Sequence, residues 1–235
     1  MSYVYHIVKF KDGSAYLMFD VCSWNCLYCV RNLNMWCSSL SAHVQAGLKT
    51  KGIKYIGIEE TVKILKENSV SLVFLGGGEP TQDPMLSDLM RSLKKENIES
   101  WLITNGELLS DELFELAKGI TFSIKALDRA KHIRLTGMDN QKVVENFKRY
   151  GKPEKVVAET VYFPALIDCN EVVEIAKFIE SVDSRIRFRI DPAVQLKDLS
   201  AFRECVKNVK MVHEKTYYIK FREKTEAPEL LYPLV

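Results

Sequence analysis

Cys22-Ser23-Trp24-Asn25-Cys26-Leu27-Tyr28-Cys29 places three thiols within eight residues. In a reducing compartment such crowding points to metal or redox chemistry before disulfides. Thiolates ligate zinc and iron–sulfur clusters alike. A structural zinc site takes four closed ligands and the triplet supplies three. Cys37 or His43 offers a fourth, so zinc remains open. Three thiolates on a four-iron cluster leave one iron with an open position, which metal chemistry on a substrate needs. Cys37, Cys169 and Cys205 stand apart and read as small buried hydrophobes.

A second constellation is Leu75-Gly76-Gly77-Gly78-Glu79-Pro80, at the end of a short apolar run. Glycines at a strand end are most often a plain turn. They also let a ligand approach the backbone closely, and a carboxylate at Glu79 can accept charge-assisted hydrogen bonds from an ammonium group.

These residues need a scaffold. Tyr3 to Phe10 and Ala15 to Val21, separated by Asp12-Gly13, predict an opening hairpin. Strands and helices then alternate. Ser71 to Leu75, Ser100 to Ile103, Ile120 to Ile124, Lys155 to Tyr162 and Ile186 to Ile190 read as strands. Leu86, Leu89, Met90 and Leu93 fall at i, i+3, i+4 and i+7 of a helix. Further helices are predicted from Ser110 to Lys118, around Val143 to Tyr150, and over Val172 to Ile179 and Leu199 to Val212. Tyr217 to Phe221 is predicted as a last strand, and Lys224 to Val235 as an irregular tail. The order predicts parallel strands joined by crossover helices: an α/β partial (β/α)6 barrel with an N-terminal hairpin, or an open sheet of the same elements. Val30 to Ile58 is an unusually long connection with no strand or helix period, either functional or locally folded.

The 235 residues suit one domain, with a hairpin over 1–14, a barrel core over about 15–222 and a tail over 223–235. The charges nearly cancel, at 33 basic and 31 acidic residues, and no basic stripe points to nucleic acid. No apolar run approaches a membrane span, and the N-terminus lacks a signal-peptide pattern. A cytoplasmic protein is expected.

The sequence resembles the radical S-adenosylmethionine (SAM) superfamily, whose signature is Cys-x3-Cys-x2-Cys with an aromatic before the third cysteine. The resemblance implies that Cys22, Cys26 and Cys29 hold a [4Fe–4S] cluster whose open iron chelates SAM. One electron then cleaves SAM to methionine and a 5′-deoxyadenosyl radical, which abstracts hydrogen. It also implies that Gly77, Gly78 and Glu79 bind the SAM amino group and that Tyr28 lies near the adenine. Val30, Thr104 and Asn105 join the cofactor-binding set.

The likeness narrows to the pyruvate formate-lyase activating enzyme and its relatives. It rests on Thr104-Asn105-Gly106, on Ser123-Ile124-Lys125 where relatives have Asp-Leu-Lys, on His132-Ile133-Arg134-Leu135-Thr136-Gly137, and on Val161-Tyr162-Phe163-Pro164. It spans about Phe19 to Pro192. Ser123 and Lys125 are expected at the SAM ribose, and His132 is expected to be structural. Two aspartates that hold a monovalent cation in relatives are Ile103 and Ser123 here, so no such site is expected. An arginine of relatives is Glu159, and a histidine is Val194.

The resemblance further implies a low-potential ferredoxin or flavodoxin as electron donor and a glycyl radical enzyme or a small metabolite as substrate. Phe188 to Pro192 and the long connection are expected on the substrate side. The competing expectation is a non-catalytic zinc or iron–sulfur protein, which would have no use for the glycine loop.

Overall fold

The computed structural model describes residues 2–219 and 226–235. In chain order the elements begin with β1 (Val4–Lys9), β2 (Ala15–Phe19), α1 (Ala42–Lys51), α2 (Ile58–Glu67), β3 (Leu72–Gly77) and α3 (Leu86–Lys95). There follow β4 (Glu99–Thr104), α4 (Asp111–Leu116), β5 (Gly119–Ser123), α5 (Arg129–Thr136), α6 (Gln141–Tyr150) and β6 (Val156–Tyr162). The last are α7 (Cys169–Val182), β7 (Arg187–Pro192), α8 (Ser200–Val212), β8 (Thr216–Tyr217) and β9 (Glu229–Tyr232).

The described strands form one sheet in the order β8-β7-β6-β5-β4-β3-β2-β1-β9. From β2 to β8 every neighbour is parallel, and β1 returns antiparallel to β2 as the predicted hairpin. Each strand from β2 to β7 is followed by helix, which gives the expected (β/α)6 core. The sheet curls: Tyr16 of β2 and Asp191 of β7 line the same cavity. The strands β8 and β9 are edges rather than partners, so the barrel is partial.

The outer helices are held by their apolar stripes. Leu86, Leu89, Met90 and Leu93 of α3 are all buried, each contributing about 1.5–3 kcal/mol of burial. Ser110 caps α4 by accepting from Leu113 N. Phe147 of α6 meets Phe122 of β5 edge to face at 5.1 Å. Among the described residues no helix is long and apolar enough to cross a membrane.

Several expectations are corrected. Of the two alternatives for the connection after the cysteines, local folding holds, and only its expected lack of a helix is corrected: Ser41 caps α1, and Trp36, Leu40 and Leu48 build a small second core against Tyr5 and Val8 of β1. The packed face of α1 holds only Val44 and the buried Leu48 as large apolar residues, too few to show a helical period. Helix α2 packs Thr61 and Leu65 inward with Ile58 and Val62 beside them, from a start at Gly57 that has no side-chain cap. The tail contains β9, which pairs antiparallel with β1 and covers that edge. Of the predicted last strand, Tyr217 to Phe221, only Tyr217 lies in β8 (Thr216–Tyr217); Tyr218 and Ile219 are not strand, and Lys220 and Phe221 lie outside the described residues. Finally, Cys169 and Cys205 are not separate hydrophobes but a disulfide joining α7 to α8, with Cα atoms 5.4 Å apart. Their separation of 36 residues gave no hint of the pairing, which packing of the two helices creates.

His6 ties these late pieces together and makes the edge pH-sensitive. Its ring is fully buried; Nδ1 donates to Tyr232 O at 3.0 Å, and Nε2 accepts from Cys37 N at 3.3 Å. That pairing requires the neutral ring, and burial lowers the His6 pKa to about 4. The folded value lies below the unfolded value of about 6.5, so this stability is complete above pH 6.5 and is lost as pH falls toward 4. The expected loss is about 3 kcal/mol. Hydrogen exchange at β9 should therefore accelerate between pH 6.5 and 4 in wild type, beyond its intrinsic pH dependence. An unchanged protection factor across that window would contradict the role given to His6.

Candidate active site

The site lies at the carboxyl ends of the parallel strands, where open α/β sheets bind ligands. A cavity of about 1150 Å³ opens there, above the roughly 300–1,000 Å³ of an ordinary small-molecule cleft. All twelve residues singled out from sequence line it: Cys22, Cys26, Cys29, Tyr28, Val30, Gly77, Gly78, Glu79, Thr104, Asn105, Ser123 and Lys125. Cys37 instead packs with the second core, and neither it nor His43 is among the lining residues.

The thiol loop follows β2 and is held from outside. Asn25 N donates to Thr136 O and Leu27 N to Leu135 O, so the end of α5 grips the loop on both sides of Cys26. Gly137, at φ 81°, terminates α5 in the left-handed region. Trp24 meets the His132 ring edge to face at 4.9 Å, and His132 Nδ1 donates to Met138 O. His132 is thus structural, as expected, and it gives the His-x-x-Leu-x-Gly segment a physical role as a clamp on the thiol loop. A second clamp had no sequence signal: Glu107 accepts from Trp24 Nε1 at 2.9 Å and from Ser23 Oγ at 3.2 Å.

Facing the thiols, the glycine loop runs against the β2 end. Gly78 N donates to Phe19 O and Glu79 N to Val21 O, both at 2.7 Å. A Cβ on Gly78 would lie 2.3 Å from Val21 O, and Gly77 sits at φ +93°; both positions demand glycine. Glu79 is buried, and its carboxylate is a hub. Oε1 accepts from Thr81 N, Thr81 Oγ1 and Thr104 Oγ1, and Oε2 accepts from Asn105 N at 2.6 Å. Burial pushes this carboxyl above its ordinary range, while hydrogen bonds from Asn105, Thr81 and Thr104 pull it back.

Lys125 leans over the Tyr28 ring, 5.8 Å from its centre, and lies 3.9 Å from Glu159 Oε1. Burial works against its charge, but Tyr28, Glu159, Cys26 and Cys29 outweigh it and leave the ammonium raised. Its loop is fixed by Glu171, which accepts from Leu127 N, and by Asn140, which donates to Ala126 O. Burial raises the Cys22 thiol to about 11 and also raises Cys26, where Lys125 opposes it. A bound metal must therefore displace their protons.

The residues fit a cluster and a polar organic cofactor. Three thiols on one loop are the donor set of a cluster with one open iron. Among the described residues no three His, Cys, Asp or Glu converge on a single metal ion; a cluster binds each thiolate at its own iron and does not ask for that convergence. Across the cavity, Tyr28 Oη and Asn105 Nδ2 are buried without a hydrogen-bond partner among the described residues. Such groups await a ligand's donors and acceptors.

Fold and site together define a partial α/β-barrel enzyme with a thiolate loop and a glycine loop on one rim. The profile of the Radical SAM superfamily matches residues 16–179, and the chain belongs to that superfamily, which works with a [4Fe–4S] cluster and SAM.

Among its relatives is a Methanocaldococcus jannaschii protein with the provisional name of glycyl-radical enzyme activating enzyme. It is 33% identical over 172 residues, or 69% of this chain and 61% of its own length. The pyruvate formate-lyase-activating enzyme of Staphylococcus epidermidis is 27% identical over 203 residues, covering 78% of this chain and 76% of that one. This chain thus spans about three fifths of the archaeal relative. In fold it resembles Streptococcus suis SuiB bound to S-adenosylmethionine, with a TM-score of 0.58 at 20% identity over 88% of this chain and 45% of that one. A domain of the Bacteroides vulgatus pyruvate-formate lyase-activating enzyme gives 0.55 at 16% identity over 63% and 98%.

Proposed function

We propose that this chain cleaves SAM reductively at a [4Fe–4S] cluster held by Cys22, Cys26 and Cys29, and that it activates a glycyl radical enzyme. The observation that carries the reading is the single cavity in which three thiols face a glycine loop with no room for a Cβ at Gly78. When bound, the cofactor pair supplies one-electron cleavage of SAM and a carbon radical for hydrogen abstraction.

The chain's own residues do the rest. The α5 carbonyls and Glu107 fix the thiol loop. Gly77, Gly78 and the Glu79 hub shape the methionine end. Tyr28, Val30, Thr104, Asn105, Ser123 and Lys125 would surround the nucleoside, and the cavity orients the cofactor pair. A low-potential ferredoxin or flavodoxin is the electron donor in this reading.

The partner follows from the names of the archaeal and staphylococcal relatives. A small metabolite is the second reading, favoured by Glu159 and Val194 on the cavity wall, where activating enzymes are expected to carry arginine and histidine.

Anaerobic reconstitution should load about four iron and four sulfide per chain, and Cys37→Ala should leave that content intact. One tight zinc without inorganic sulfide would overturn the reading, as would loss of the cluster in Cys37→Ala.

A further inference from the structure

The β6–β7 wall of the cavity carries a charged group beside Lys125 that lies outside the cofactor-binding set named above. Glu159 of β6 and Arg189 of β7 are register partners, and Arg189 Nη2 donates to Glu159 Oε2 at 2.8 Å. Arg189 Nε also lies 3.1 Å from Asp191 Oδ2. The three side chains are 9%, 21% and 14% exposed, so this is a built network inside the barrel mouth rather than a solvated rim. The Arg189 charge faces Oδ2 of Asp191, although Nε itself makes no hydrogen bond among the described residues. The other carboxylate oxygen, Oδ1, is buried and has no hydrogen-bond partner among the described residues.

A buried carboxylate oxygen without a donor is rare in native structures and calls for an explanation. Asp191 lines the same cavity as the thiols, and Val161, Pro192 and Ala193 bound the space beside it. A ligand filling that space meets an apolar surface beside Asp191 and must carry a hydrogen-bond donor for Oδ1. Burial raises the Asp191 carboxyl to about 7 while the Arg189 charge opposes that rise; in its ionised form Oδ1 is a charged acceptor, the strong kind of hydrogen-bond partner, and has the character of an anchor.

We propose that Asp191 is the substrate anchor: it accepts an N–H that flanks the carbon losing its hydrogen, as in the backbone amide of a glycyl segment. The inference rests on the SAM-cleavage reading and gives it a substrate chemistry, an N–H donor beside an apolar centre. Arg189 is the positioning residue that fixes the Asp191 rotamer, and Glu159 in turn holds Arg189.

The test uses the anaerobically reconstituted full chain with SAM and without reductant, and ligand-observed NMR titration. N-acetylglycine N′-methylamide offers N–H donors; N-acetylsarcosine N′,N′-dimethylamide has the same core and none. Wild type should prefer the first by about ten- to a hundredfold, the range of a hydrogen bond to a charged group. In Asp191→Asn, Arg189 should take the amide oxygen and turn the NH2 toward the ligand, so the preference should vanish although the shape is kept. Glycinamide separates the sources: binding tighter than the blocked glycine supports a free amine as donor of the N–H, and weaker binding supports a polypeptide. Equal affinity of wild type for the two blocked probes overturns the anchor, as does a preference that survives in Asp191→Asn. A wild-type chain that loads its cluster and binds SAM but neither probe overturns the anchor alone. One that loads no cluster overturns the functional reading and the anchor with it.

Discussion

Cys26→Ala should lose the cluster and every trace of SAM cleavage while the chain remains folded. Cys26 occupies the middle of the thiol loop, and its carbonyl accepts from Cys29 N at 3.0 Å in the turn that presents both thiols. Removing its sulfur leaves two thiolates, too few for a cluster that needs three to keep one iron open. The backbone around it does not depend on the thiol, because Asn25 and Leu27 are gripped by the α5 carbonyls and Trp24 by Glu107 and His132. The variant should therefore keep wild-type secondary structure and a thermal transition within a few degrees of the apoprotein. Iron and sulfide should fall to background after anaerobic reconstitution, and 5′-deoxyadenosine should be absent after incubation with dithionite and SAM. If Cys26→Ala still makes 5′-deoxyadenosine, the triplet is not the source of the electron.

The parts of this site that could be read from sequence are those whose chemistry is local. Three thiols in eight residues and three glycines in a row each carry their meaning in their own spacing, and both loops reach the cavity. The strands from β3 to β7 were legible for a related reason: buried parallel strands are short apolar runs set between helical stripes. The unread parts depend on partners distant in sequence. Glu107 is an unremarkable surface glutamate until the fold brings it to Trp24, 83 residues earlier. Arg189 and Asp191 alternate on β7 as ordinary charged residues, and only the fold brings Asp191 to the cavity with Arg189 paired beside it. Glu159 was visible as a departure from the activating-enzyme pattern, but its pairing with Arg189 is set by strand register. The disulfide and β9 share that character, since each is a contact between segments with no common local signal.

Glu79 shows how a legible residue gains a further role in the fold. From sequence its carboxylate was expected to meet the ammonium of SAM. In the structure it lines the cavity and also organises the loop after β4, with donors on both oxygens. Glu79→Gln should therefore be far more than the loss of one charge. If the amide oxygen faces Thr81 and Thr104, its NH2 points at Asn105 N–H, which lies 2.6 Å from Oε2. If the amide is flipped, the NH2 opposes Thr81 N–H instead. Either way a buried backbone donor loses its acceptor, at about 1–3 kcal/mol. The Thr104-Asn105-Gly106 turn should loosen, and with it Glu107 and its hold on Trp24. SAM affinity should fall roughly a hundredfold, from the lost charge and the loosened turn together, and the thermal transition should drop by several degrees. A cluster that still loads fully distinguishes this from the loss of a ligand, since Glu79 carries no iron in the proposed set. Calorimetric titration of SAM and thermal melting of the same reconstituted sample decide the matter. A fall in affinity with no change in melting would leave Glu79 a binding group only. A wild-type affinity would remove it from the site.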